Sequence, residues 1–210
     1  MILPFIPIAS AQQVLELKPN LQAFPAGNLA IAQDPSGGTK LVFSATTWNN
    51  GDGPLLLVAG ETDPTALKQN VYQRVYLSDG TFYDRLASAF EWHPLHNHFH
   101  FNDYALYTLQ PFDAPGGSER TSAKTSFCVM DTTKVDTRLP GAPKKPVYVT
   151  CGNAMQGMSV VWGDTYGSQL AGQSIDLTDG SGARPVASNV TVVDSTTITA
   201  SVTVKTGGGS

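Results

Sequence analysis

The chain contains four histidines, and all lie within the run Trp92–His100, at positions 93, 96, 98 and 100. Imidazole is a ligand for copper, zinc, iron and nickel, and three of these rings follow an i, i+2, i+4 spacing. On a β-strand, side chains two apart project from one face, so His96, His98 and His100 are placed to converge on one ion. The neighbouring Phe99, Phe101, Tyr104, Leu106, Tyr107 and Leu109 are aromatic or aliphatic types that suit a pleated sheet. A solvated strand or a hydrogen-bonded core would account for one histidine, but neither calls for three on a face. Among divalent ions intrinsic affinity peaks at copper, which ranks copper and zinc first without choosing between them. His93 stands apart, because Pro94 removes a backbone donor and favours an extended or turn conformation before His96. It reads as a group that orients the ligands or faces the substrate, with a fourth-ligand role the weaker alternative.

The pattern Trp-His-x-x-His-x-His-x-His from Trp92 to His100 resembles the copper-binding signature of the lysyl oxidase family. Three further stretches resemble that family in the same order. Lys124 to Thr132 is similar to the segment that carries the lysine of the family's quinone cofactor. Gln156 to Ser159, followed by Gly163 to Gly167, is similar to the segment that carries its tyrosine, and Ile175 to Thr178 to the strand after it. Together they span about residues 72 to 179, with a weaker likeness to bacterial members at Asn50 to Leu55.

That resemblance implies a copper-dependent amine oxidase. Oxidising a primary amine with dioxygen needs an electron sink, a base and a route for electrons, and no ordinary side chain is an adequate sink. In lysyl oxidases the sink is lysine tyrosylquinone, made from the chain's own lysine and tyrosine by bound copper and dioxygen. Carried over position by position, the resemblance implies Lys124 and Tyr166 as the cofactor residues and His96, His98 and His100 as the copper ligands. The substrate would be a primary amine, peptidyl lysine among them, giving an aldehyde, ammonia and hydrogen peroxide. His93, Asp103 and Asp164 are the candidates for the base or for ligand-orienting groups. Taken singly, Lys124 reads as an exposed lysine and Tyr166 as a core tyrosine. Their offsets from the cysteines weaken those readings: Lys124 lies four before Cys128 and Tyr166 fifteen after Cys151, as in the family. The two need not touch before processing, since Lys124 follows a Gly- and Ser-rich loop and Tyr166 lies in a turn-like segment. Trp162 reads as a packing residue.

Two other functions compete. One is a non-catalytic, secreted metal-binding or adhesion module on the same fold. The other is a zinc hydrolase, which would need an acid placed to activate metal-bound water, and no His-Glu-x-x-His arrangement is present.

Composition is compatible with the oxidase. Gly and Pro total 34 residues and charged residues make up only 14%, the profile of an all-β domain with many turns. The expectation is a β-sandwich with long loops and little helix. A net charge of −4 argues against nucleic acid as a partner and is compatible with a cationic amine. No run approaches the roughly 20 apolar residues of a membrane span. Residues 1–11 are apolar and end in Ala9-Ser10-Ala11, which suits either a signal-peptide remnant or an apolar N-terminal strand. A secreted or extracytoplasmic chain favours a disulfide between its two cysteines, Cys128 and Cys151, and the family resemblance implies the same pairing.

The elements that must position these residues follow from periodicity. Leu41–Trp48 and Leu55–Ala59 read as strands, joined by a turn at Asn50–Gly53. Pro64–Gln69 suits a single helical turn. Val71–Leu77 and Thr81–Arg85 form a hairpin about Ser78-Asp79-Gly80, and one strand carries the histidines on to Leu109. Residues 113–123 and 133–146 read as surface loops. The catalytic domain is expected to occupy residues 12–180. Residues 181–210 depart from the family: Asn189–Val193 and Thr197–Val204 read as strands resembling the end of an immunoglobulin-like repeat. They either replace the edge of the catalytic sandwich, the favoured reading, or belong to an incomplete module.

Overall fold

A computed structural model describes residues 13–63, 65, 68–94, 96–111, 119–139, 141–178, 184–185 and 198–205. Residues 1–11 and Asn189–Val193 lie outside these, so the expectations for them lie outside the described residues. The first strands are β1 (Glu16–Leu17), β2 (Leu21–Ala23), β3 (Gly27–Gln33), β4 (Thr39–Asn49), β5 (Leu55–Asp63) and β6 (Lys68–Leu77). Next come β7 (Phe82–His93), β8 (His98–Phe101), β9 (Ala105–Pro111), β10 (Arg120–Thr121) and β11 (Thr133–Lys134). The last are β12 (Met155–Met158), β13 (Trp162–Tyr166), β14 (Ser174–Asp176), β15 (Arg184–Pro185) and β16 (Ile198–Lys205). The fold is all-β, with no helix among the described residues.

Three sheets enclose one core. The first runs β12-β5-β6-β7-β8 with β1 added to β6, the second β10-β9-β16-β15, and the third β11-β13-β4-β14 with β2 and β3 also on β4. The shared core draws Leu57, Val71 and Phe90 from the first, Tyr107 and Leu109 from the second, and Leu41, Phe43 and Ile175 from the third. Phe127, between β10 and β11, lies at its centre with no exposed surface. Burial of a side chain of this size stabilises the fold by about 1.5–3 kcal/mol.

The strands expected at Leu41–Trp48, Leu55–Ala59, Val71–Leu77 and Thr81–Arg85 are present as β4, β5, β6 and β7, and each runs beyond its apolar stretch. In β4, Leu41 and Phe43 are fully buried, and the strand is the hub on which β2, β3, β13 and β14 pair. The β6–β7 hairpin closes at Ser78–Thr81, where Gly80 takes a φ of 86° and the Asp79 carboxylate accepts bonds from the Thr81 N–H and hydroxyl. At the Asn50–Gly53 turn, a Cβ on Gly51 would lie 2.2 Å from the Lys18 carbonyl oxygen and one on Gly53 2.1 Å from that of Leu17, so only glycine fits. The buried Asn49 amide fixes this turn, accepting from the Asn20 and Gly51 N–H groups and donating to the Gly53 and Met158 carbonyls.

Three expectations need correction. Lys68 and Gln69 are not helical but open β6, paired with Glu91 and Phe90, because β-pairing outweighs the weak local helical preference of a short segment. The histidine run is not one strand to Leu109. It breaks after His93, where Pro94 cannot donate to a ladder and His96 and Asn97 lie in a turn, and again at Asn102-Asp103, where Asp103 takes a left-handed φ of 55°. The expected loops also carry ladder pairs, β10 on β9 and β11 on β13.

Candidate metal and cofactor site

The histidines converge through a hairpin rather than along a single strand. β7 ends at His93, whose carbonyl accepts from the His96 and Asn97 N–H groups at 3.1 and 2.9 Å. Asn97 closes the turn at a φ of 54°, a conformation asparagine tolerates better than most residues. In the returning strand, His93 pairs with His98 and Glu91 with His100, so these side chains share one face. Trp92 and Phe99 pair on the opposite face, with ring centroids 5.1 Å apart, and stiffen the hairpin from behind.

On the histidine face, the ring nitrogens His98 Nε2 and His100 Nε2 are 2.9 Å apart, and His96 Nδ1 is 3.3 Å from His100 Nε2. Two nitrogens bound to one ion at about 2.0–2.1 Å lie roughly 2.8–3.4 Å from each other, so these spacings fit a shared metal. His100 is only 2% exposed, and its Nδ1 faces the Ser126 hydroxyl at 3.3 Å. A proton on that Nδ1 leaves Nε2 as a free lone pair, the tautomer a metal ligand requires. Burial pushes the His100 pKa down to about 3, helped by the nearby positive charge of Lys124. His96 and His98 are shifted down as well, first by burial and then by His93. All three are therefore held neutral, as ligation demands. His93 lies flat against His96 and His100, with centroids 4.2 and 4.7 Å away, and its buried Nδ1 has no hydrogen-bond partner. Ligand nitrogens of His93, His96 and His100 also fall within 4.8 Å of one another, so the geometry leaves a fourth-ligand role open to His93.

Lys124 is delivered beside this cluster by the segment that borders β8. Phe101 and Phe127 form an antiparallel bridge, and the Tyr104 N–H donates to the Thr125 carbonyl. Upstream, the buried Ser122 hydroxyl donates to the Lys124 carbonyl and accepts from the Tyr107 N–H. The Lys124 side chain is half-buried, its Nζ 4.7 Å from the centroid of Phe127 and 5.2 Å from that of Tyr166. Burial lowers its pKa, which enlarges the neutral, nucleophilic fraction of the amine.

Tyr166 ends β13, paired with Ala45 in β4. Its hydroxyl donates to the Cys128 carbonyl at 2.6 Å, and its ring meets Phe127 edge-on at 4.8 Å. Burial, with the Asp164 carboxylate nearby, raises the phenol pKa well above the ordinary value. The expected disulfide is formed: Cys128 and Cys151 are bonded, with their Cα atoms 5.4 Å apart. It ties the lysine segment to the loop before β12. Within β12 the buried Gln156 amide accepts from the Val129 N–H and donates to the Phe99 carbonyl, joining this strand to the lysine segment and the histidine strand.

A family model for lysyl oxidase matches residues 79–200. The chain belongs to the lysyl oxidase family. No curated protein matches it. The matched stretch includes the histidine hairpin, Lys124, both cysteines and Tyr166, so the features that carry a lysyl oxidase reading lie inside it.

The remaining candidates are placed apart from the histidines. Asp164 is 3% exposed, and its carboxylate accepts from the Met130 N–H and the Thr132 hydroxyl. Burial pushes its pKa up to about 7. Asp103 sits in the exposed turn between β8 and β9. Trp162 is buried, with its indole N–H donating to the Pro143 carbonyl. Reasoning from sequence missed Ser126, Phe127 and Gln156. Ser126 had a signal, since it stands two residues after Lys124 on an extended segment. The other two act only through long-range contacts.

Proposed function

We propose that this lysyl oxidase family member is a copper-dependent amine oxidase whose cofactor is lysine tyrosylquinone built from Lys124 and Tyr166. One observation carries the reading: the Lys124 amine lies 5.2 Å from the centre of the Tyr166 ring, beside four histidines with converging nitrogens. His96, His98 and His100 would hold the copper, with His93 packed against them. Copper with dioxygen would supply the oxidising chemistry that joins and oxidises the two side chains, and the quinone would serve as the electron sink. The overall reaction balances as a primary amine, dioxygen and water giving an aldehyde, ammonia and hydrogen peroxide.

The chain's own residues set the conditions for this. Phe127 packs against both the amine and the phenol ring and so helps to set their positions. The Cys128 carbonyl fixes the phenol's orientation through its hydrogen bond. Burial keeps Lys124 closer to its neutral form, and the Ser126 hydroxyl is placed to accept from His100 Nδ1–H in the tautomer that ligation through Nε2 needs. His93 is the better-placed candidate for a base, since its Nδ1 is unpartnered and its ring lies on the cluster. Asp164 reads instead as an anchor of the Met130–Thr132 segment, and Asp103 as a turn residue.

The disulfide supports a secreted or extracytoplasmic location. No helix among the described residues is long and apolar enough to cross a membrane. Residues 12–180 read as the catalytic domain, and the extension as part of it, because β16 pairs in parallel with β9 from Ile198 to Val204.

Copper loading in air followed by peptide mass spectrometry tests the proposal. A linked Lys124–Tyr166 peptide, lost in Lys124→Ala and Tyr166→Phe, together with peroxide released on adding a primary amine, is the expected result. Copper-replete protein that yields only the separate peptides would instead favour the non-catalytic metal-binding module.

A further inference from the structure

We infer that Gly172 is a positioning residue for the cofactor lysine: its bare Cα is the surface against which the Lys124 stem lies as its amine reaches Tyr166. This rests on the cofactor reading above. A Cβ on Gly172 would lie 2.8 Å from Lys124 Cδ, 3.1 Å from its Cβ and 3.5 Å from its Cγ. Rotating the lysine side chain would relieve the first and last of these contacts. It would not relieve the second, because Lys124 Cβ moves only with the backbone, which Ser122 holds through the Lys124 carbonyl.

The glycine cannot easily recede either. It sits in a turn closed by the Leu170 N–H on the Gly167 carbonyl at 3.0 Å and the Gln173 N–H on the Leu170 carbonyl at 3.1 Å. The next residue, Gln173, is 1% exposed, and its carbonyl accepts from the Phe43 N–H in β4. A side chain at position 172 therefore displaces the lysine stem, and the amine swings away from the phenol ring. Because the loop lies outside the histidine hairpin, copper binding is left intact.

Gly172 also has a φ of 78°, so any substitution strains the backbone as well. A matched control separates the two effects. Gly141 has a φ of 79° in an equally exposed loop, and a Cβ there would meet nothing within 4 Å. Gly141→Ala carries the strain without the contact. Gly172→Asn keeps the contact but relaxes the strain, since asparagine tolerates this conformation.

The test compares the parent, Gly172→Ala, Gly172→Asn and Gly141→Ala. Before copper is added, acetylation of Lys124 by an amine-reactive ester is followed by peptide mass spectrometry. Both position-172 variants should react several-fold faster than the parent, and Gly141→Ala at the parent's rate. After copper loading in air, both should form the Lys124–Tyr166 link about tenfold more slowly or worse, at unchanged copper content. Parent-like labelling in Gly172→Asn, or equal losses in Gly172→Ala and Gly141→Ala, would overturn the inference. A parent that never cross-links would defeat the cofactor reading, while the labelling rates would still decide the role of the glycine.

Discussion

The histidine cluster is assembled by one hairpin, whereas the lysine and tyrosine beside it are brought together by elements remote in sequence. His93 to His100 need only the β7–β8 register and the Asn97 turn to face one another. Lys124 and Tyr166 depend on the Phe101–Phe127 bridge, the β13–β4 pairing, the disulfide and the Gly172 turn. A locally built cluster is tolerant, because its geometry survives loosening elsewhere. A pair built from distant elements is sensitive to every contact that sets the distance between them. The difference suits the chemistry proposed for each, since a metal can gather its ligands, but a covalent link forms only between groups already held close.

The largest effects should separate the two halves. Tyr166→Phe and Lys124→Ala are expected to reduce amine-dependent peroxide release to background while leaving stoichiometric copper. His100→Ala should lose both, because it removes the most buried ligand. Metal analysis beside a peroxide assay reads this directly. Copper lost in Tyr166→Phe would show that the two halves are one unit, and the comparison would break.

Removing the disulfide comes next. Cys128→Ala with Cys151→Ala should lower stability by about 3 kcal/mol on the chain-entropy account, measured by denaturant unfolding. It should also slow formation of the cofactor link far more than it weakens copper binding. The reason is local: the Cys128 carbonyl receives the Tyr166 hydroxyl. Equal losses of copper affinity and link formation would mean that the hairpin leans on the bridge as much as the pair does.

The same contrast explains what was legible in the sequence. The histidine spacing points to a candidate metal site because eight consecutive residues contain it, yet the expectation of one strand misplaces His96, which lies in a turn. Pro94 was the clue to that break. Strands β4, β5 and the β6–β7 hairpin were readable from alternation and from Asp79-Gly80. The short ladders β10 and β11 were not, since two-residue strands carry no periodicity and form only because neighbours offer open edges. For Lys124 and Tyr166, composition suggests nothing; they stand out only through the family-like segments Lys124 to Thr132 and Gly163 to Gly167, with their offsets from the cysteines as support. Gly172 gave no signal, as a glycine in a turn is ordinary until the partner that crosses it is known.

A smaller effect sharpens the link between the halves. Ser126 belongs to the lysine segment but contacts His100, so it is where the distant assembly touches the local one. Ser126→Ala should weaken copper by about 10-fold, in the range for lost ligand-orienting partners. Competition against a chelator of known affinity measures it. An unchanged affinity would mean that the hairpin fixes the His100 tautomer without help.

The smallest expected effect is on stability against pH, and it comes from the pair's side of the molecule. Asp164 is buried two residues before Tyr166, with its pKa raised from 3.8 to about 7 chiefly by burial. Below pH 3.8 the carboxyl is protonated in both folded and unfolded chains, so it carries no ionisation penalty. As pH rises from there, the unfolded chain releases the proton while the folded chain retains it, and stability falls until about pH 7. Asparagine at this position keeps an oxygen to accept from the Met130 N–H and cannot ionise. The melting temperature of Asp164→Asn relative to the parent should therefore be level below about pH 4, rise through the window and level again above about pH 7. Histidines also titrate near that window, but they are common to both proteins and cancel in the difference. A difference that stays flat from pH 4 to 7 would mean that Asp164 ionises freely inside the fold. Its bonds to Met130 and Thr132 would then outweigh its burial, and the anchor beneath the tyrosine strand would be a charged one.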